Sequence, residues 1–323
     1  MRDSERQTMR TLLGLTVAVC AAMAASAADV SVCKFPDGKS GAFLLAFDDG
    51  CPSQLAHAIP VLEKYRVPGT FYPITEAGHF KARKADWIKA AKSPYVTLGN
   101  HTSTHRGVTT PDELDKQLAD ANAVLKEMQP ELPWPRLISF AVPGGVPWKI
   151  EPAELKAKLD AQHLVERPKF QTPPWFCKTV ADAEAYIDRC IATKQMGHID
   201  FHGIGGDWLS NPTEYLEGVA KKLDSVRDRL WLAPAEDWNK YTAEQAVAQV
   251  KVEKETANEV ALTVSLGALD PAIYDFPLTL ELKTDWKRVR LEAGCAVSEL
   301  AAQDGKVKFS VPAGVKAVLK KLD

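Results

Sequence analysis

The chain has 323 residues, a formal net charge of −2 and 25% charged side chains, an ordinary balance for a soluble globular protein. No face-sized basic cluster is visible, which argues against a nucleic-acid partner. A chain this long builds its core without relying on disulfides.

Residues 1–27 read as an export signal. Arg2, Arg6 and Arg10 form a positive lead, Leu12 to Met23 is apolar but short for a bilayer, and Ala25-Ser26-Ala27 fits a small-x-small cleavage site. Cleavage there starts the mature chain at Ala28, removes three Arg, one Asp and one Glu, and moves the formal charge from −2 to −3. The expected location is periplasmic or extracellular, with no stable membrane insertion after signal removal. Val19 before Cys20 argues against lipid attachment. Cys33, Cys51, Cys177, Cys190 and Cys295 remain, an odd set, so at least one thiol has no partner within the chain. Cys177 and Cys190 are the expected pair because they lie nearest in sequence.

From about residue 40 to 240 strand and helix patterns alternate. The apolar run Ala42–Phe47 reads as a buried parallel strand and is followed by a helical stretch ending near Tyr65. Pro68-Gly69 leads into Thr70-Phe71-Tyr72. A helical segment near Asp86–Ala91 precedes a strand at Tyr95–Leu98. Thr110-Pro111-Asp112-Glu113 is a capping box with Pro at the first helical position, and Leu114, Leu118, Ala121, Leu125 and Met128 follow on one face. Leu137–Phe140, Ile199 with Phe201, and Leu230–Leu232 read as further strands. Such repeats predict an α/β fold with right-handed crossovers and a parallel sheet or barrel over residues 28–242. Residues 243–323 change to period-two alternation, with turns at Asp270-Pro271, Ala293-Gly294 and Asp304-Gly305. They predict a small antiparallel, sandwich-like β domain. In that domain only Trp286 offers a surface on which a sugar stacks.

Two stretches carry chemistry. Phe47-Asp48-Asp49-Gly50 puts two carboxylates at the C-terminal tip of a buried strand, which is costly unless a cation sits there. His101-Thr102-Ser103-Thr104-His105 offers two imidazoles that meet at one ion if the backbone is helical or tightly turned. Asp49, His101 and His105 are therefore the expected metal ligands. Asp48 is the spare carboxylate that metal-assisted hydrolysis needs as a base. A two-His, one-carboxylate set also describes non-haem iron oxygenases, but these need no spare base. In Gly197–Gly203, strand alternation places His198, Asp200 and His202 on one face, and His202 is the expected general acid. His57, His79 and His163 have no partners in sequence and read as ordinary.

These stretches resemble the motifs of the polysaccharide deacetylase family, the NodB-like carbohydrate esterases. Phe47–Gly50 looks like the first motif, His101–His105 the second, Phe140–Gly145 a degenerate third and Ile199–Gly203 the last. The resemblance covers about residues 40–242 and implies a distorted (β/α) barrel. It also implies a divalent metal, zinc or cobalt, and removal of acetyl groups from N-acetylated or O-acetylated sugars. It assigns Asp48 as base, Asp49, His101 and His105 as ligands, His202 as acid and the backbone near Gly144 as an oxyanion donor. The chain departs from the family where Ala141 replaces an Arg, Gly144 an aromatic residue and Asp200 an apolar residue. The family's Asp-Trp motif has only Trp175, Asp182 and Asp188 as candidates. These departures predict a more negative pocket, with a raised pKa for Asp48, a different acyl group, a cationic substrate or a slow enzyme as the alternative consequences. The competing expectations are an inactive, metal-bearing glycan-binding protein and a hydrolase of a non-sugar amide on the same scaffold.

Overall fold

Repeated β–α units build a curled parallel sheet in the computed structural model, which describes residues 28–168 and 177–323. The signal-like segment and Trp175 lie outside the described residues. After β1 (Val30–Val32), the organising strand is β2 (Gly41–Asp49), buried along its whole length. There follow α1 (Ile59–Tyr65), β3 (Gly69–Pro73), α2 (Gly78–Ala82), α3 (Lys84–Ala90), β4 (Val96–Leu98), α4 (Pro111–Met128) and β5 (Ile138–Phe140). Then come α5 (Pro152–Ala161), β6 (Leu164–Glu166), α6 (Val180–Thr193), β7 (Met196–Phe201), α7 (Thr213–Ser225), β8 (Leu230–Leu232) and α8 (Ala235–Val247).

The sheet order is β4-β3-β2-β7, with β8 pairing beside the start of β2. The arc continues past β4, because Asn100 bridges to Phe140 and the parallel pair β5–β6 extends it. The result is the expected distorted (β/α) barrel. Its core is an aromatic stack, with Phe47 between Phe71 and Phe201 at ring-centroid distances of 4.6 and 5.2 Å. Each such ring contributes about 1.5–3 kcal/mol on burial. The capping box forms at Thr110 and Glu113, and the predicted apolar face of α4 is buried.

Beyond α8 the chain forms β9 (Gln249–Thr256), β10 (Glu259–Ser265), β11 (Leu278–Lys283), β12 (Arg288–Ala293), β13 (Ala296–Ala301), β14 (Lys306–Val311) and β15 (Ala317–Lys321). Two antiparallel sheets, β1-β11-β14 and β13-β12-β15-β10-β9, enclose Leu262, Leu280, Val289, Val307 and Leu319. The N-terminal β1 thus pairs with β11, far away in sequence. Trp286 is spent inside this core: it is only 6% exposed, and its indole N–H donates to the Ala257 carbonyl. It offers no stacking surface. The expected Cys177–Cys190 bond is also absent, since all five described cysteines are free thiols. Cys190 points toward Gly197 on the sheet side of α6, whereas Cys177 precedes that helix and binds Tyr215 through its carbonyl. Closeness in sequence is not matched by a bond between the sulfurs.

Candidate metal centre

The tip of β2 explains why two neighbouring carboxylates reach one place. Consecutive strand residues point to opposite faces. Asp49, however, leaves the strand with φ +72° and Gly50 follows with φ +66°. This left-handed break swings the Asp49 side chain round to the side of Asp48. The Nε2 atom of His101 then lies 3.9 Å from Asp48 Oδ2 and 3.4 Å from Asp49 Oδ1.

The histidine loop is tightly turned, with Thr102 at φ +61° and His105 at φ +55°. Asn100 holds the first turn by accepting the Thr102 N–H at 2.9 Å, and it is itself anchored to the Leu118 carbonyl of α4. The Thr102 hydroxyl accepts the His105 N–H at 3.1 Å. The Nδ1 of His101 lies 2.8 Å from the Ala141 carbonyl, which orients the ring and turns Nε2 toward Asp49.

Asp49, His101 and His105 offer ligand atoms within 4.8 Å of one another. Asp49 Oδ1 is buried without a hydrogen-bond partner, and the two Nε2 atoms face it at 3.4 and 3.7 Å. An orphaned carboxylate oxygen between two imidazole nitrogens fits a divalent cation, which needs those deprotonated donors. Burial raises the Asp49 pKa, but contact with His101, the Trp208 N–H and the charge of His202 outweigh it and hold the carboxyl at about 2. Burial and the neighbouring His101 lower the pKa of His105, keeping it neutral and able to ligate. Three protein ligands leave positions open, as a catalytic site requires.

The expected negative pocket is overturned. Arg167, just past β6, donates to both oxygens of Asp48 at 2.7 and 3.0 Å and to both of Asp200 at 3.2 and 3.1 Å. It supplies from a different strand the cation missing at Ala141, and it spans the seam between β6 and β7. Burial raises the pKa of Asp48, yet Arg167, His101 and His202 bring it below the ordinary carboxylate value. Burial and the charge of Asp48 push Asp200 well up, so the neutral carboxyl of the pair is Asp200. His198 is deeply buried, and burial with the nearby Arg167 lowers its pKa to about 3. It is a neutral lining residue.

His202 follows β7 and acts electrostatically on both Asp48 and Asp49. Gln54 ties the two strand ends together by donating to the carbonyls of Asp48 at 2.7 Å and His202 at 2.9 Å. Gly144 is exposed in the loop that also presents the Ala141 carbonyl. Asp182 caps α6 and Asp188 pairs with Lys222, so neither belongs to the centre. His79 does belong near it: its Nε2 lies 2.9 Å from the Asp49 carbonyl, and its ring packs edge-on to Trp208 at 5.0 Å. Trp208 donates its indole N–H to Asp49 Oδ2 at 2.5 Å.

The polysaccharide deacetylase family model matches residues 36–159, the stretch holding Asp48, Asp49, His101 and His105. Over these residues, under half of the chain, the protein is similar to a polysaccharide deacetylase domain. Arg167, Asp200 and His202 lie beyond the matched residues of the deacetylase domain. No curated protein matches the chain. Similar solved structures include a family 4 carbohydrate esterase from Streptomyces lividans in complex with acetate, at 16% identity over 60% of this chain and 92% of that one, TM-score 0.46. A family 4 acetyl xylan esterase from Clostridium thermocellum in complex with a cobalt ion has 22% identity over 59% and 87%, TM-score 0.42. A CE4 family pseudoenzyme from Bacillus anthracis has 16% identity over 60% of this chain and 63% of its own length, TM-score 0.44. The chain thus spans less than two thirds of that last protein.

Proposed function

We propose that the chain removes acetyl groups from N-acetylated carbohydrate, with O-acetylated carbohydrate as the second substrate class, and that it does so with a divalent cation held by Asp49, His101 and His105. The observation that carries the reading is the orphaned, buried Asp49 Oδ1 facing the Nε2 atoms of His101 and His105. Two imidazoles and a carboxylate suit zinc, and cobalt accepts the same donors. When bound, the cation supplies Lewis-acid polarisation of the acyl group and lowers the pKa of water.

The chain's own groups do the rest. Asp48 takes the proton of the attacking water. Its depressed pKa keeps it ionised, and the two-pronged contact with Arg167 fixes its plane. His202 protonates the leaving amine. A backbone N–H near Gly144 donates to the oxyanion. The signal-like residues 1–27 support export.

The test is acetate release by zinc-reconstituted protein from N-acetylglucosamine oligomers, set against small cyclic amides. The expected result is acetate from the oligomers, with Asp48→Asn lowering kcat by about 10²–10⁴-fold. Glycan binding without acetate release, unchanged by Asp48→Asn, would overturn the reading in favour of a binding protein. Turnover of the amides alone would move the substrate class.

A further inference from the structure

Among the described residues, five large apolar side chains are exposed: Trp208, Leu209, Val247, Val297 and Leu322. The last three stand singly, as surface apolar residues commonly do. Trp208 and Leu209 are neighbours in the chain, 40% and 72% exposed, and Trp208 sits against Asp49.

Their exposure is built in rather than a frayed loop. Gly203 donates to the Trp208 carbonyl at 3.0 Å, Asn211 donates back to Gly203 at 2.9 Å, and Gly205 to Asn211 at 2.8 Å. Asp207 accepts the Ser53 N–H at 2.7 Å, and the Ser53 hydroxyl reaches the Gly206 carbonyl at 3.2 Å. The fold is so close that a Cβ on Gly203 would lie 2.0 Å from the Gly206 oxygen. Leu209 holds φ +47°, a strained conformation for a branched side chain, and gains no burial from it. Trp208 is fixed at its edge by Asp49 and against His79, which leaves part of its surface open.

A fixed aromatic surface beside an aliphatic side chain matches the C–H face of a pyranose ring, which combines an apolar face with a polar rim. We infer that Trp208 and Leu209 form the seat for a pyranose ring of the glycan, tied through the indole N–H to the cation ligand Asp49. The inference deepens the deacetylase reading and rests on it for the identity of the sugar. One residue then serves both functions: its surface holds the ring, and its edge orients the carboxylate.

The test uses calorimetry on metal-free protein titrated with the N-acetylglucosamine tetramer, and separately with zinc. Leu209→Ala should weaken tetramer binding by about 3–10-fold and Trp208→Ala by more than tenfold. Trp208→Phe keeps an aromatic surface but loses the donor. It should retain most of the tetramer affinity while zinc affinity falls by roughly 10-fold. Thermal melting confirms folding, and the exposed Leu209→Ala covers the case in which Trp208→Ala fails to fold. Failure of the parent protein to bind the tetramer, or parent-like binding by Leu209→Ala and Trp208→Ala, overturns the seat. If acetate is released while these variants bind as the parent does, the deacetylase reading stands and the seat falls. If the variants lose binding but zinc-loaded parent releases no acetate, the seat stands and the deacetylase reading falls.

Discussion

Two buried carboxylates, one at the tip of β2 and one where α8 meets the C-terminal sandwich, have the same deficit and opposite remedies. Asp49 has one oxygen satisfied by Trp208 and the other orphaned. Glu244 has one oxygen satisfied by the Phe276 N–H at 3.0 Å and the other orphaned. Around Asp49 the neighbours are imidazoles, and its pKa sits at about 2. Around Glu244 burial dominates, the Phe276 N–H only partly offsets it, Asp275 adds to it, and the pKa rises to about 7. The first site suits a cation and the second a proton. The surroundings, not the carboxylate itself, decide which.

The comparison breaks most severely at Asp49. Asp49→Ala should abolish measurable zinc binding and reduce acetate release by at least about 10³-fold, because it removes one of three ligands. Calorimetry with zinc and acetate release read the two effects. Near-normal zinc affinity in this variant would show that the cation sits elsewhere.

Arg167 gives the next largest effect. Arg167→Met strands Asp48 and Asp200 beside each other in a buried site, and loss of one partner of such a cluster costs about 3–5 kcal/mol. Chemical denaturation should show that loss. Adding Asp200→Leu removes the second carboxyl and should recover part of the stability, while acetate release stays low because Asp48 has lost its holder. Full recovery of activity in the double variant would show that Arg167 compensates only for Asp200.

Arg167 marks the limit of what the sequence reveals. The candidate cation ligands are legible because each motif is local: the apolar run of β2 ends in Asp-Asp-Gly, and two histidines share one turned loop. The capping box of α4 and the alternation of the sandwich strands are legible for the same reason, since neighbours in the chain create them. Arg167 is not. It lies 119 residues from Asp48, after the three-residue strand β6, and no spacing rule points from one to the other. Ala141 and Asp200 alone therefore misstate the charge balance of the pocket. Trp208 and His79 were missed likewise, because only the fold brings them to Asp49. A clue did exist for Trp208: Gly203, Gly205 and Gly206 before it signal a tight, purposeful turn.

Glu244 supplies the smallest and sharpest test. Its folded pKa of about 7 lies above the ordinary value of 4.5, so the folded state binds a proton more tightly than the unfolded chain does. The favourable contribution is then complete below about pH 4.5 and is lost as the pH rises through about 7. The full span is on the order of 3 kcal/mol. Glu244→Gln keeps an acceptor for the Phe276 N–H and cannot ionise. The variant should therefore match the parent below about pH 4.5 and exceed it by on the order of 3 kcal/mol near pH 9. Denaturant midpoints across that range read the difference. Parallel curves for parent and variant would show that the orphaned oxygen is already satisfied in solution. In that case the contrast with Asp49 would rest on charge alone and not on a missing partner.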